Sequence, residues 1–279
     1  MPTSTSDPAP GLAAIAATLR AAGCVFAEEE ALLLAESART PQELHAMTAR
    51  RAAGLPLEHV VGWAGFCELR IAVGPGVFVP RRRSELLARQ TAALTPSGSI
   101  VVDLACGSGA LGLAIAALVP DTDLHACDID PVAVAYARRN VEPAGGHVYA
   151  GDLYEPLPSA LRGRVTAIVA NVPYVPTDQL ALMPAEARYH EPVLALDGGP
   201  DGLDVLRRAA AGAGDWLRPG GHLLIETSVA QAAAATEAFA AAGLAPASTS
   251  DPDLGTTIVI GRHRTWPAQN LASTEPGQH

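Results

Sequence analysis

Asp103-Leu104-Ala105-Cys106-Gly107-Ser108-Gly109-Ala110-Leu111-Gly112 is the stretch on which the reading of this chain turns. It follows the β-branched run Ile100-Val101-Val102 and leads into the apolar segment Ala110 to Val119. That order predicts a strand, a glycine-rich turn and a helix. Glycine turns tightly and lets the backbone approach a ligand closely. The first N–H groups of the following helix lack intrahelical partners and point at that ligand. Gly107, Gly109 and Gly112 also satisfy the spacing Gly-x-Gly-x-x-Gly of nucleotide-binding turns.

Working outward from this turn, strand and helix signals alternate from residue 84 onward. Strand-like runs are Ile100–Leu104, Asp123–Cys127, His147–Ala150, Val165–Ala170, His222–Glu226 and Thr257–Ile260. Helical stretches at 109–119, 131–140, 203–217 and 229–242 lie between them. Such alternation predicts an α/β fold with a mostly parallel sheet and helices on both faces. Ligands bind such sheets at the carboxyl ends of the strands, where strand order switches. Upstream, residues 11–53 read as helices. Leu12, Ile15 and Leu19 recur at helical spacing, Glu28 to Glu30 fill a first turn, and Pro41 and Gly54 suit a start and a stop. Residues 62–80 read as a β-hairpin, with Gly74-Pro75-Gly76 between apolar runs. Residues 1–10 are predicted to be a disordered leader, and the polar stretch 265–279 a flexible tail.

Composition narrows the function. The chain has 279 residues, 49% of them hydrophobic, so it can bury a sizeable core. All 19 basic residues are Arg, and the formal net charge is −10. No basic face for nucleic acid is predicted from that balance. Cys24, Cys67, Cys106 and Cys127 are scattered without a Cys-x-x-Cys pair, which predicts free thiols and no metal site. No secretory signal opens the chain, and no apolar run reaches the roughly 18 residues of a membrane span, so a cytoplasmic protein is expected.

The glycine turn alone does not separate a nicotinamide cofactor from S-adenosylmethionine. Asp128 follows the second strand, 21 residues after Gly107, and can bind ribose hydroxyls in either case. Two features favour S-adenosylmethionine. Asp103 stands ahead of the glycines, where enzymes using this cofactor commonly carry an acid near its methionine part. The third strand runs into Gly151-Asp152-Leu153, a carboxylate for the adenine amino group and a side chain for its ring. After the fourth strand comes Asn171-Val172-Pro173-Tyr174. It resembles the Asn-Pro-Pro-Tyr motif of methyltransferases that act on planar nitrogen. An amide nitrogen is a poor nucleophile, because its lone pair is delocalised into the carbonyl. The Asn171 side-chain carbonyl and the backbone carbonyl of Val172 can accept from its two N–H groups, while Tyr174 stacks on the amide plane. Pro173 holds Val172 out of the helical region.

The chain is similar to the HemK/PrmC family of protein-(glutamine-N5) methyltransferases. The motifs above carry the likeness, together with Pro56–Gly62, Gly76–Arg81, His190-Glu191-Pro192 and Leu196–Leu203. It departs from the family at Ala105, which stands for a glycine, at Arg82 in place of the second proline of Pro-Arg-Pro, and at Val172. The resemblance implies a seven-stranded sheet at 84–264, a helical substrate-recognition domain at 11–61 and a hairpin linker at 62–83. It implies cofactor contacts from Asp103, Ala105, Cys106, Gly107, Ser108, Gly109, Asp128, Ile129, Asp152, Leu153 and Asn171. Asn171 and Tyr174 would be catalytic, with Val172, Pro173 and Arg81 also binding substrate. The implied products are S-adenosylhomocysteine and a methylated peptide chain release factor, with no membrane or stable nucleic-acid partner. A ribosomal-protein or small-molecule nitrogen, a nicotinamide oxidoreductase and a non-catalytic cofactor binder are the alternatives.

Overall fold

Four helices open the described chain, which runs from residue 11 to 264 in this computed structural model. The predicted leader 1–10 and tail 265–279 lie outside the described residues. Helices α1 (Leu12–Ala21), α2 (Ala27–Ser37), α3 (Pro41–Ala52) and α4 (Leu57–Val61) enclose a core of their own around Ile15, Leu19, Leu34, Met47 and Val60. Local chemistry fixes the start of α3. The Thr40 side chain accepts from the Glu43 N–H, Glu43 accepts in return from Arg39 N–H, and Pro41 sits where a missing N–H costs nothing.

A two-stranded hairpin follows, β1 (Trp63–Phe66) and β2 (Leu69–Ala72). Its turn differs from the prediction. The chain reverses at Cys67-Glu68, both with positive φ (47° and 64°), and not at Gly74-Pro75-Gly76. A two-residue hairpin loop favours this hand because its twist matches the strands. Neither residue is glycine, so no turn signal marked it. Glu85 steadies the turn by accepting from the Cys67 N–H at 3.1 Å.

The remaining elements are α5 (Glu85–Ala93), β3 (Ile100–Leu104), α6 (Ala110–Leu118), β4 (Asp123–Asp128), α7 (Pro131–Val141), β5 (His147–Ala150), β6 (Val165–Ala170), α8 (Ala185–His190), α9 (Asp204–Trp216), β7 (Leu217–Thr227), α10 (Ala232–Ala241), β8 (Leu244–Asp251) and β9 (Thr256–His263). Seven strands form one sheet in the order β5-β4-β3-β6-β7-β9-β8, with β9 antiparallel to both neighbours and the other pairs parallel. Strand β8 has no counterpart among the predicted runs. It is a Ser/Thr-rich edge strand containing Pro246, with three of its eight residues exposed, and an edge is where a strand tolerates proline.

Alternation along the strands feeds two cores. Val101, Ala167, Val169 and Leu224 pack on one face, where α6 and α7 lie. Val102, Leu104, Ile168, Leu223 and Ile225 pack on the other, under α9 and α10. Helix α9 buries Leu206, Ala209, Ala210, Ala213 and Trp216, a stripe at helical spacing. Truncating the fully buried Leu206 to Ala would cost about 2–5 kcal/mol. The chain passes from β3 outward through β4 to β5, then returns to lay β6 on the other side of β3. A crevice therefore opens above the carboxyl ends of β3 and β6.

Candidate active site

An open cleft of about 1100 Å³ lies above those strand ends. Its floor is the glycine turn. Asp128, at the end of β4, accepts from Gly107 N–H at 2.8 Å with one oxygen and from Asp130 N–H at 2.9 Å with the other. Burial raises its pKa, opposed by these hydrogen bonds. Gly109 has φ +77°, and a Cβ there would stand 2.6 Å from Val141 Cγ2. Asn140 ties the turn to the hairpin. Its Nδ2 donates to the carbonyls of Ser108 and Ala72, and its Oδ1 accepts from Ala72 N–H.

The structure brings most of the sequence-predicted residues to the cleft wall: Ala105 to Ser108, Asp128, Ile129, Asp152, Leu153, Asn171, Pro173 and Arg81. It does not bring four others there. Asp103 is fully buried beneath the turn, where one oxygen accepts from Gly112 N–H at 2.8 Å and Oδ1 has no partner. Burial pushes its pKa up to about 7. Gly109 caps the helix behind the wall, and the Val172 side chain is buried in the core under α9. Among the described residues no backbone hydrogen bond ends on the Val172 carbonyl.

Tyr174 is the fourth. Its hydroxyl is 2.5 Å from Arg83 Nη2, and Arg83 Nε donates to Glu226 Oε1 at 3.1 Å. Glu226 is 1% exposed and its other oxygen has no partner. The Tyr174 carbonyl accepts from Gln231 Nε2 at 2.9 Å. Gly202 packs so closely that a Cβ would stand 2.3 Å from that carbonyl. Backbone bonds from Val175 to Leu196 and from Thr177 to Gly199 wrap the segment after α8 around the loop. Arg81 reaches the wall but is engaged: its Nη2 lies 2.6 Å from both oxygens of Glu191, a carboxylate 1% exposed on its side chain.

Asn171 is held by Ser84, whose buried Oγ accepts from Asn171 Nδ2 at 3.2 Å. No hydrogen bond among the described residues uses Asn171 Oδ1, and the residue faces the cleft. Cys106 is buried, and burial drives its thiol well above the ordinary value, which suits packing and not nucleophilic attack. Sequence reasoning missed Ser84, Gln231 and Arg208. Arg208 lines the cleft and pairs with Asp152 at 2.5 Å. Each acts across 56 or more residues, and no local spacing signals such a partner.

Residues 68–188 match the methyltransferase small domain family. A release factor glutamine methyltransferase of Geobacter sulfurreducens is 36% identical over 226 residues, covering 79% of this chain and 78% of the relative. Another, of Mycolicibacterium smegmatis, is 39% identical over 228 residues, covering 81% and 79%. The chain belongs to the release factor glutamine methyltransferase family. It is an enzyme and a methyltransferase. A Pyrococcus furiosus methyltransferase shares the fold, with a TM-score of 0.54 and 17% identity over 71% of this chain and 90% of that one. Membership removes the nicotinamide reading. No helix among the described residues is long and apolar enough to cross a membrane.

Proposed function

We propose that this enzyme transfers a methyl group from S-adenosylmethionine to the side-chain amide nitrogen of a glutamine in a peptide chain release factor, leaving S-adenosylhomocysteine. The observation that carries the reading is Asn171, anchored through its Nδ2 with Oδ1 free at a cleft floored by a glycine turn.

The residues present fit the cofactor. Gly107, Ser108 and Asp128 line the cleft floor, and Asp103 Oδ1 is a buried acceptor without a partner beneath the turn. Asp128 would hold the ribose, Ile129, Asp152 and Leu153 the adenine, and residues 105–108 the methionine part. Bound S-adenosylmethionine supplies a sulfonium-activated methyl, so no covalent enzyme intermediate is needed.

The protein's own work is to orient and polarise the amide. Asn171 Oδ1 and the Val172 carbonyl are two acceptors for the two glutamine N–H groups. Accepting from both fixes the nitrogen and draws its lone pair out of conjugation. Pro173 and the bonds that wrap Tyr174 keep that pair of acceptors rigid. The Tyr174 hydroxyl, tied to Arg83, holds the ring in place beside the loop. The spare proton on nitrogen leaves to water after transfer. The N-terminal helices recognise the protein substrate in this reading. Four free cysteines suit a reducing cytoplasm.

The test is incubation with isotope-labelled S-adenosylmethionine and a purified release factor from the same organism, followed by peptide mass mapping. Label on one glutamine is expected. Cofactor binding without label on any release-factor glutamine would move the substrate elsewhere.

A further inference from the structure

A second groove, of about 1090 Å³, lies between the N-terminal helices, the hairpin and α7. Arg50 of α3, Arg70 of β2 and Arg139 of α7 all line it, and no carboxylate does. The chain carries 29 acidic residues against 19 arginines, so three cations from three separate elements around an acid-free groove run against its overall balance. Nine other arginines pair with carboxylates, including Arg51 and Arg138, the sequence neighbours of Arg50 and Arg139. Among the described residues, Arg50, Arg70 and Arg139 have no such partner.

Two of the three are held in place without being neutralised. Arg50 Nη2 donates to the His59 carbonyl at 3.2 Å. The Arg70 guanidinium stacks over Trp63, 4.3 Å from the ring centroid, which leaves its N–H edge free to form a fork on a carboxylate. Tyr136 and Asn140 complete the α7 side, and Asn140 is the residue that also braces the glycine turn. The groove shares the chain segment 73–80 with the catalytic cleft: Val73, Gly74 and Pro75 line one, and Val77, Phe78 and Pro80 the other.

We infer that this groove docks an acidic segment of the protein substrate, remote from the glutamine that is methylated. The inference rests on the proposed function for the identity of the partner but not for the chemistry of the groove. A nucleic acid is the lesser fit. Three cations neutralise few phosphates, and a longer polyanion would run on to a surface with a net charge of −10. A short run of Asp and Glu fits the three forks and ends before the repulsive surface begins. Charge-matched docking of this kind sets partner choice and encounter rate more than chemistry.

Two measurements test this on the full-length enzyme. Arg50→Gln, Arg70→Gln and Arg139→Gln, combined, should raise KM for the release factor about tenfold, with its salt dependence weakened and kcat and the Kd for S-adenosylmethionine unchanged. An unchanged KM overturns the inference, provided the wild type methylates the release factor. Calorimetric titration with an octaglutamate peptide, an octaglutamine peptide and an RNA octamer reads the groove without turnover. Binding of octaglutamate alone, lost in the triple variant, is expected. Binding of RNA alone, or equal binding of both peptides, overturns it. A wild type that leaves the release factor unlabelled yet binds octaglutamate through these arginines sinks the proposed substrate and keeps the groove.

Discussion

The two halves of the cleft, the proposed cofactor side and the proposed substrate side, are built differently. On the cofactor side, the parts lie close together in sequence. Asp103 caps Gly112 nine residues on, and Asp128 holds Gly107 across 21. Backbone geometry does most of the shaping. On the substrate side, side chains reach across the whole chain: Asn171 to Ser84 over 87 residues, Arg83 to Glu226 over 143, Arg81 to Glu191 over 110. A turn that must approach a ligand uses glycines and a helix end. A loop that must hold two acceptors rigid, with only Pro173 as its own stiffener, borrows rigidity from distant partners. The cofactor side should therefore fail through binding and stability, and the substrate side through turnover.

Asn171→Ala is the sharpest way to break that contrast. Removing one of two preorganised acceptors should lower kcat by roughly 10²–10³. Calorimetry should still find the Kd for S-adenosylmethionine within a few fold of wild type. A variant that turned over normally would take Asn171 out of the chemistry, and one that lost the cofactor would move it to the other side of the comparison.

Asp103 probes the cofactor side by pH. Its folded pKa of about 7 lies above the ordinary 3.8 because burial penalises the charged form. A carboxyl raised in the folded state binds its proton more tightly there than in the unfolded chain. Its contribution to stability is thus full below pH 3.8 and is lost as pH climbs towards 7. The loss is at most about 1.4 kcal/mol per pH unit. Urea midpoints of the cofactor-free enzyme between pH 5 and 7 should fall for wild type and flatten in Asp103→Asn. Equal slopes for the two would show that Asp103 is not the titrating group.

These partner distances also explain what was legible in the sequence. The central strands could be read because β3 and β6 are largely apolar or β-branched runs, Val165–Ala170 most plainly, and the glycine turn because its spacing is local. Strand β8 could not, since Pro246 and a Ser/Thr-rich run look like a loop until β9 is beside them. The hairpin turn was misplaced because Cys67-Glu68 adopts positive φ without glycine. At the cleft, residue types pointed to Asn171 and Asp128, but nothing local revealed that the Tyr174 hydroxyl is tied to Arg83, or that Glu191 already occupies Arg81.

Arg83→Ala sharpens the substrate side. It strands the buried Glu226 carboxylate and frees Tyr174. Because the Arg83 side chain is 40% exposed, the stability loss should be about 2 kcal/mol, less than for a fully buried pair. Arg83→Met combined with Glu226→Met should restore much of that stability, read as the urea midpoint. If Arg83 positions Tyr174, kcat stays depressed in the double variant while the Kd for the cofactor does not move. Recovery of kcat together with stability would reduce the pair to a structural brace.

The smallest effect tests the divergent position of the turn itself. Ala105 has φ +50°, a conformation that costs a residue with a Cβ about 1–2 kcal/mol. Glycine would remove that strain but give the unfolded chain more freedom, worth about 0.4–1 kcal/mol. Ala105→Gly should therefore gain about 0.5 kcal/mol, a rise in Tm of roughly 1–2 °C for a chain of this size. Leu153 shares the same backbone hand, with φ +46°, but its side chain is buried in the core. Leu153→Gly relieves the same strain and loses that packing, so its Tm should fall. Opposite signs at two residues with one conformation would separate backbone strain from side-chain burial in the cofactor site. If Ala105→Gly instead lowered Tm, the methyl of Ala105, which packs against the core under α9, would contribute more than its backbone costs.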